Sequence, residues 1–172
     1  LIVTAKAQEA FGRGGGVTPQ DWATPWNLFH AIEARYGKFD VDVCATRHNT
    51  KVPEKYYTPE IDGLSQDWGT MLCFANPPYA GDAARFARKS VQSARAGATV
   101  VMLVFVRSDT AWFQSCAPHA TGIDLIKGRI AFERGSIKAP APMASCLLVF
   151  TPAGGPPKLS FWDWRNEGQV AL

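Results

Sequence analysis

Long apolar runs are missing from this sequence: nowhere do its 172 residues approach the roughly 20 consecutive apolar positions that a membrane-spanning helix needs. The first ten residues also lack a signal peptide's arrangement, so a soluble, cytoplasmic protein with no membrane partner is expected. Cysteine is scarce. Cys44, Cys73, Cys116 and Cys146 lie far apart without metal-ligand spacing, which argues against a disulfide scaffold and for no metal, leaving reduced core thiols. Charge is thin as well, at 19% of residues with a net +3, which permits nucleic-acid contact without arguing for it. Repeats and composition shifts are absent, so nothing marks a second domain. Hydrophobic residues, at 47%, suffice for one well-filled core over residues 18–172. Residues 1–17, ending in Gly12-Arg13-Gly14-Gly15-Gly16, read as a flexible arm.

One stretch concentrates chemistry. Met71-Leu72-Cys73-Phe74 reads as a short buried strand between Gly69 and a proline pair, and it delivers Asn76-Pro77-Pro78-Tyr79 at its end. A proline after Pro77 holds Pro77 extended, and neither ring carries an N–H, so the Pro77 carbonyl is left to accept from outside the chain. The Asn76 side chain offers a second acceptor. Two adjacent acceptors followed by an aromatic ring suit a planar ligand with an exocyclic amino group, adenine above all, with Tyr79 stacking on an extruded base. The amino nitrogen of adenine is a poor nucleophile because its lone pair is delocalised. Acceptors that draw on its hydrogens make it more electron-rich, by positioning and electrostatic preorganisation, with no metal and no strong base. The same tetrapeptide also reads as a plain strand-ending turn.

The rest of the chain reads as α/β. Thr24 is placed to cap a helix with Pro25 at its first position, an apolar face of Trp26, Leu28, Phe29, Ile32 and Ala34, and Gly37 as its stop. Phe39 to Ala45 alternates apolar residues with Asp40 and Asp42, a strand that delivers an acid at its carboxyl end, where ligands bind in open α/β sheets. Thr46 to Asp62 is a long irregular segment, of the kind that more often carries function than not. Asp82 to Ala96 is an amphipathic helix whose polar face holds Arg85, Arg88 and Lys89, either solvated or touching phosphates. Ala98 to Val106 is a central strand, followed by Arg107-Ser108-Asp109-Thr110. Short segments at Gly122 to Ile126 and Gly128 to Phe132, a loop from Glu133 to Pro142, a strand from Cys146 to Phe150 and an aromatic tail, Phe161 to Trp164, placed against the core, complete the chain.

Together these residues resemble the phage-type DNA N6-adenine methyltransferase family, over roughly Asp21 to Phe150. The segments that carry the likeness are Thr24-Pro25-Trp26, Asp40 to Ala45 with Asn49, Asp62-Gly63-Leu64 with Asp67-Trp68, Asn76 to Tyr79, and Arg107 to Phe113 followed by Gly128-Arg129 and Phe132. The resemblance implies a Rossmann-like methyltransferase fold, a mostly parallel sheet with helices on both faces and an antiparallel C-terminal addition. It also implies S-adenosylmethionine as cofactor and DNA, with a flipped adenine, as partner. Asn76, Pro77, Pro78 and Tyr79 then form the target-base site. Thr24, Pro25 and Trp26 touch the methionine portion of the cofactor, and Asp42, with Cys44, Ala45 and Asn49 beyond it, lies near its amino group. Asp67 sits by its adenine, with Trp68 supporting or stacking. Arg107, Asp109 and Trp112 receive no chemistry, and a structural hydrogen-bond pair is as good a reading as a substrate contact. The chain departs from larger methyltransferases in having Ala45-Thr46-Arg47-His48-Asn49 where a glycine-rich loop stands, and Thr50 to Asp62 where a second strand and its ribose-binding acid stand; Glu54 and Glu60 are the only candidates for that acid. Three rivals remain: methylation of RNA adenine or of a protein glutamine, a catalytically silent nucleic-acid-binding module, and a bare structural domain. Neither the recognition sequence nor the oligomeric state is legible, and the loop Glu133 to Pro142 and the basic helix face are the candidate DNA contacts.

Overall fold

The structure, a computed structural model, describes residues 22–78 and 81–166. The arm expected over residues 1–17, and Tyr79, lie outside the described residues.

Helix α1 spans Trp26–Tyr36, and buries Leu28, Phe29 and Ile32. Trp26 and Ala34, expected on the same apolar face, are exposed. Gly37 ends it at φ 103°, a left-handed conformation that glycine adopts without a side-chain clash, and its N–H bonds to the Glu33 carbonyl. Strands β1 (Val41–Asp42), β2 (Leu72–Ala75) and β3 (Thr99–Phe105) pair in parallel, and helix α2 (Asp82–Ala96) crosses from β2 to β3. Helix α3 (Ala111–Cys116), strand β4 (Gly122–Ile126), the hairpin β5 (Ala131–Arg134) and β6 (Ile137–Pro140), and strands β7 (Ser145–Phe150) and β8 (Lys158–Trp162) follow.

The main sheet has six strands in the order β1-β2-β3-β7-β4-β8, and only β7 runs against its neighbours. The antiparallel element is therefore an insertion between β3 and β4, while the last strand, β8, lies parallel to β4 at the edge. Period-two alternation along β3 divides the core. Val100, Met102 and Val104 face α2 and α3 with Phe86, Ala87 and Val91, while Val101, Leu103 and Phe105 face α1 and the hairpin with Phe29, Ile32 and Phe132. This is a mixed α/β fold, a mostly parallel sheet covered by helices on both faces.

Several segments differ from the sequence reading. The strand expected over Phe39 to Ala45 is only Val41–Asp42 long, because the chain bends away at Val43 and Cys44. Glu133 to Pro142, expected as a loop, contains most of the β5–β6 hairpin: Glu133 pairs with Lys138, and Gly135 turns the chain at φ 56°. Period-two patterning is too short there to show against two prolines. Thr46 to Asp62 is irregular as expected, yet its middle supplies a substitute strand, because the Asp42 N–H bonds to the Lys55 carbonyl and the Tyr57 N–H to the Asp42 carbonyl. That pairing closes the hydrogen bonds on the free side of β1 and carries Tyr57 to Pro59 to the carboxyl ends of the parallel strands. The tail divides as well: Trp162 is buried against the core, whereas Phe161 is 84% exposed.

Candidate active site

Parallel pairing brings the carboxyl ends of β1, β2 and β3 to one edge of the sheet, and the chain leaves each into a loop. A cleft with about 750 Å³ of empty space, its mouth included, opens there. Cys44, Ala45 and Thr46 from beyond β1 and Asn76, Pro77 and Pro78 from beyond β2 form one side. Tyr57 to Pro59 and Asp62 to Leu64 form the other, and Asp82, Arg85 and the buried Phe86 of α2 also line it. Its lining mixes apolar side chains with polar ones, among them Thr46, Thr58, Asp62 and Asn76, as a site for a small amphipathic molecule does.

Gly63 lies against the backbone beyond β1. A side chain there would place its first carbon 2.0 Å from the Val43 carbonyl oxygen, so only glycine lets the two backbones approach. Trp68 braces the same point, its indole N–H donating to the Gly63 carbonyl at 2.9 Å. The Trp68 ring is wholly buried and lies against Phe86, so it supports the wall and cannot stack on a ligand. Asp67 is exposed and accepts the Gly69 N–H at 2.9 Å; it lies outside the walls, and Asp62 is the acid that the structure brings to them.

Asn76 stands at the junction of this cleft with a narrower neck lined by Thr24, Asp42, Asn49 and Lys51. Thr24, expected as a helix cap, makes no cap; its buried hydroxyl accepts from Asn76 Nδ2 at 3.1 Å. Holding the nitrogen end of the amide in this way fixes the side chain's rotation. Among the described residues no backbone donor reaches the Pro77 carbonyl. Pro25 precedes the first turn of α1, Trp26 carries the Lys51 ammonium 4.2 Å from its ring centre, and Asn49 accepts the Thr46 N–H at 2.6 Å, closing the turn after β1.

Asp42 is 3% exposed. Its carboxylate accepts the N–H groups of Lys51 at 3.2 Å and Cys44 at 3.4 Å. Burial pushes its pKa up to about 6, against the opposing pull of those two N–H groups and the Lys51 charge. Burial also raises the Cys44 thiol well above its ordinary range, so it stays protonated and is no nucleophile at neutral pH. Arg107 and Asp109 pair with each other at 3.3 Å on the surface beyond β3, and Trp112 packs on Phe113; none of the three lines the cleft. Glu54 and Glu60 are exposed and outside its walls.

Thus the structure gathers Thr24, Asp42, Cys44, Ala45, Asn49, Asn76, Pro77 and Pro78 around one cleft and neck, with Trp26 flanking and Trp68 behind. Sequence reasoning passed over Lys51, which has no periodic or motif signal, and left Tyr57 to Pro59 as an unassigned irregular segment. Among the described residues no group of His, Cys, Asp and Glu could hold a metal ion, and no helix is long and apolar enough to cross a membrane.

Residues 17–158 match the profile of the family described as DNA N-6-adenine-methyltransferase (Dam). The chain is 43% identical over 136 residues to the DNA N-6-adenine-methyltransferase of Haemophilus phage HP1, covering 76% of this chain and 78% of that one. It is 34% identical over 103 residues to the enzyme of the same name from Escherichia phage T1, covering 59% of this chain and 42% of that one. With the match spanning most of the chain and its strand-end motifs meeting in one cleft, the protein belongs to the DNA N-6-adenine-methyltransferase (Dam) family.

Proposed function

We propose that the protein is a methyltransferase that moves a methyl group from S-adenosylmethionine to the N6 amino nitrogen of an adenine in DNA. The observation that carries this is the pair formed by Asn76, anchored through its nitrogen on Thr24 at 3.1 Å, and the Pro77 carbonyl, at the end of β2 beside a cleft. When bound, S-adenosylmethionine supplies an electrophilic methyl group on a sulfonium sulfur. The cleft and its neck suit such a ligand: Val43, Ala45, Leu64 and Phe86 offer apolar walls for a nucleoside, and Asp42 in the neck offers a carboxylate to an ammonium.

The side-chain oxygen of Asn76 and the carbonyl oxygen of Pro77 accept the two amino hydrogens of the target adenine, and Thr24 keeps the amide from turning. Both acceptors are fixed before the base arrives, so no reorganisation is needed as positive charge develops on the attacking nitrogen. Once methylated, the nitrogen loses a proton, and water suffices to take it. Base extrusion from a duplex costs a few kcal/mol, offset by stacking on Tyr79 and by phosphate contacts. Arg85 in the cleft lining and Arg88 and Lys89 on the same helix are the proposed phosphate contacts.

Labelled S-adenosylmethionine incubated separately with unmethylated DNA, RNA and protein, followed by nucleoside and amino-acid analysis, tests the reading. N6-methyladenine in DNA is expected, and product confined to RNA or protein overturns it. Asn76→Ala should abolish turnover while leaving cofactor affinity within about twofold; equal losses in both would show that Asn76 is not the base-site acceptor.

A further inference from the structure

Lys51 is only 7% exposed, an uncommon place for an ammonium group. It lines the neck beside Asn76 and also the neighbouring groove formed by Trp26, His48 and Arg134. Among the described residues its three N–H donors make no hydrogen bond and no ion pair; the Trp26 ring face is its sole partner. Two acids stand near it and neither takes the charge. Glu133 is engaged by Lys138 at 2.8 Å across the hairpin, and Asp42 accepts the backbone N–H of Lys51 but not its ammonium. Burial lowers the Lys51 pKa, with the Glu133 and Asp42 charges opposing.

A buried cation and a buried anion line one neck without pairing, the charge pattern that a ligand group bearing both signs would match. We propose that Lys51 binds the α-carboxylate of the cofactor's amino-acid end, across the neck from Asp42, which receives the α-ammonium. The proposal depends on the cleft being the cofactor site, and it adds the residue that reads the carboxylate. Ligand binding exchanges a costly unpaired ammonium for a charge-assisted hydrogen bond, so much of the selectivity for an amino-acid-bearing nucleoside resides here. The wider cleft would then take the nucleoside, and Asn76 stands at the junction of the two.

Calorimetry on the full chain with three ligands tests this without turnover. S-adenosylhomocysteine carries both charges, its decarboxylated analogue keeps only the amine, and 5′-methylthioadenosine has neither; all three are thioethers at sulfur. In Lys51→Met, S-adenosylhomocysteine affinity should fall roughly ten- to hundredfold. The other two ligands should bind as they do to the unaltered protein, within about twofold, and Lys51→Arg should recover part of the loss. Lys51→Gln repeats the test if the methionine variant does not fold. Equal weakening of all three ligands, or of none, overturns the assignment, as does a variant that loses affinity for a DNA duplex while keeping that for S-adenosylhomocysteine. If the unaltered protein binds none of the three, the cofactor reading itself fails. If it binds all three equally tightly, the reading stands and Lys51 loses its role.

Discussion

Asp42 offers a sharp test, because its fold and its function pull in opposite directions. Burial raises its pKa from 3.8 to about 6. The folded state therefore favours the protonated acid: its contribution to stability is full below the unfolded value of 3.8 and is lost as pH rises through about 6. At neutral pH the ionised carboxylate costs the folded protein roughly 3 kcal/mol, about two units at about 1.4 kcal/mol each. An amide of the same shape carries no charge. Replacing Asp42→Asn removes that cost but leaves one backbone N–H, of Lys51 or Cys44, facing an amide nitrogen, a loss of about 1 kcal/mol. The net expectation is a gain of about 2 kcal/mol, or about 4–8 °C in Tm for a chain of this size. Melting curves followed by circular dichroism at about pH 7.5 should show that gain, and at about pH 4.5 most of it should vanish because Asp42 is by then protonated. Cofactor affinity should move the other way, falling roughly ten- to hundredfold in the variant at neutral pH. In the unaltered protein, affinity should decline as pH falls through about 6, since the carboxylate must be ionised to receive an ammonium. A variant that is less stable at neutral pH, or equally stabilised at both, would refute the claim that desolvation dominates at this carboxylate.

Other positions give outcomes as definite. Gly63→Ala must displace the Val43 carbonyl, 2.0 Å from the added carbon, so ligand affinity in calorimetry and Tm should fall together, by the equivalent of about 2–3 kcal/mol in stability. Asp124, buried on β4, accepts from Arg35 at 2.9 Å, from Ser160 at 2.5 Å and from the Tyr36 hydroxyl, and so ties the end of α1 to β4 and β8. Asp124→Ala takes the shared acceptor from all three and should cost about 3–5 kcal/mol in urea unfolding. Because that network lies away from the cleft, cofactor affinity measured well below the transition should be unchanged.

Particular residues show how far local sequence reaches. Asp82–Ala96 and Gly122–Ile126 were legible to the residue, because amphipathic spacing, apolar runs and flanking glycines act within a few positions. The place of Asn76 to Pro78, beyond a buried strand and beside the cleft, was legible because a proline pair and an amide after an apolar run constrain the backbone whatever surrounds them. Thr24 was misplaced as a cap for the same reason: a threonine before a proline carries a local capping signal, and only packing of α1 beside β2 offered its hydroxyl a better partner, 52 residues away. Asp67 and Asp62 are indistinguishable as acids near a glycine, and the chain path alone brings Asp62 to the cleft. Lys51 had no signal because lysines are ordinarily solvated, and burial is a property of the assembled neck.

The sequence by itself determined an α/β chain, the order and type of most elements, and which residues leave the end of β2, since each follows from the periodicity and torsions of neighbouring residues. Tertiary structure alone decided which groups share the cleft, how close Gly63 comes to Val43, and that a buried acid and a buried lysine face the same neck without pairing. Those features come from residues far apart in the chain, and their energies arise from water excluded only after the sheet, helices and hairpin have closed around them.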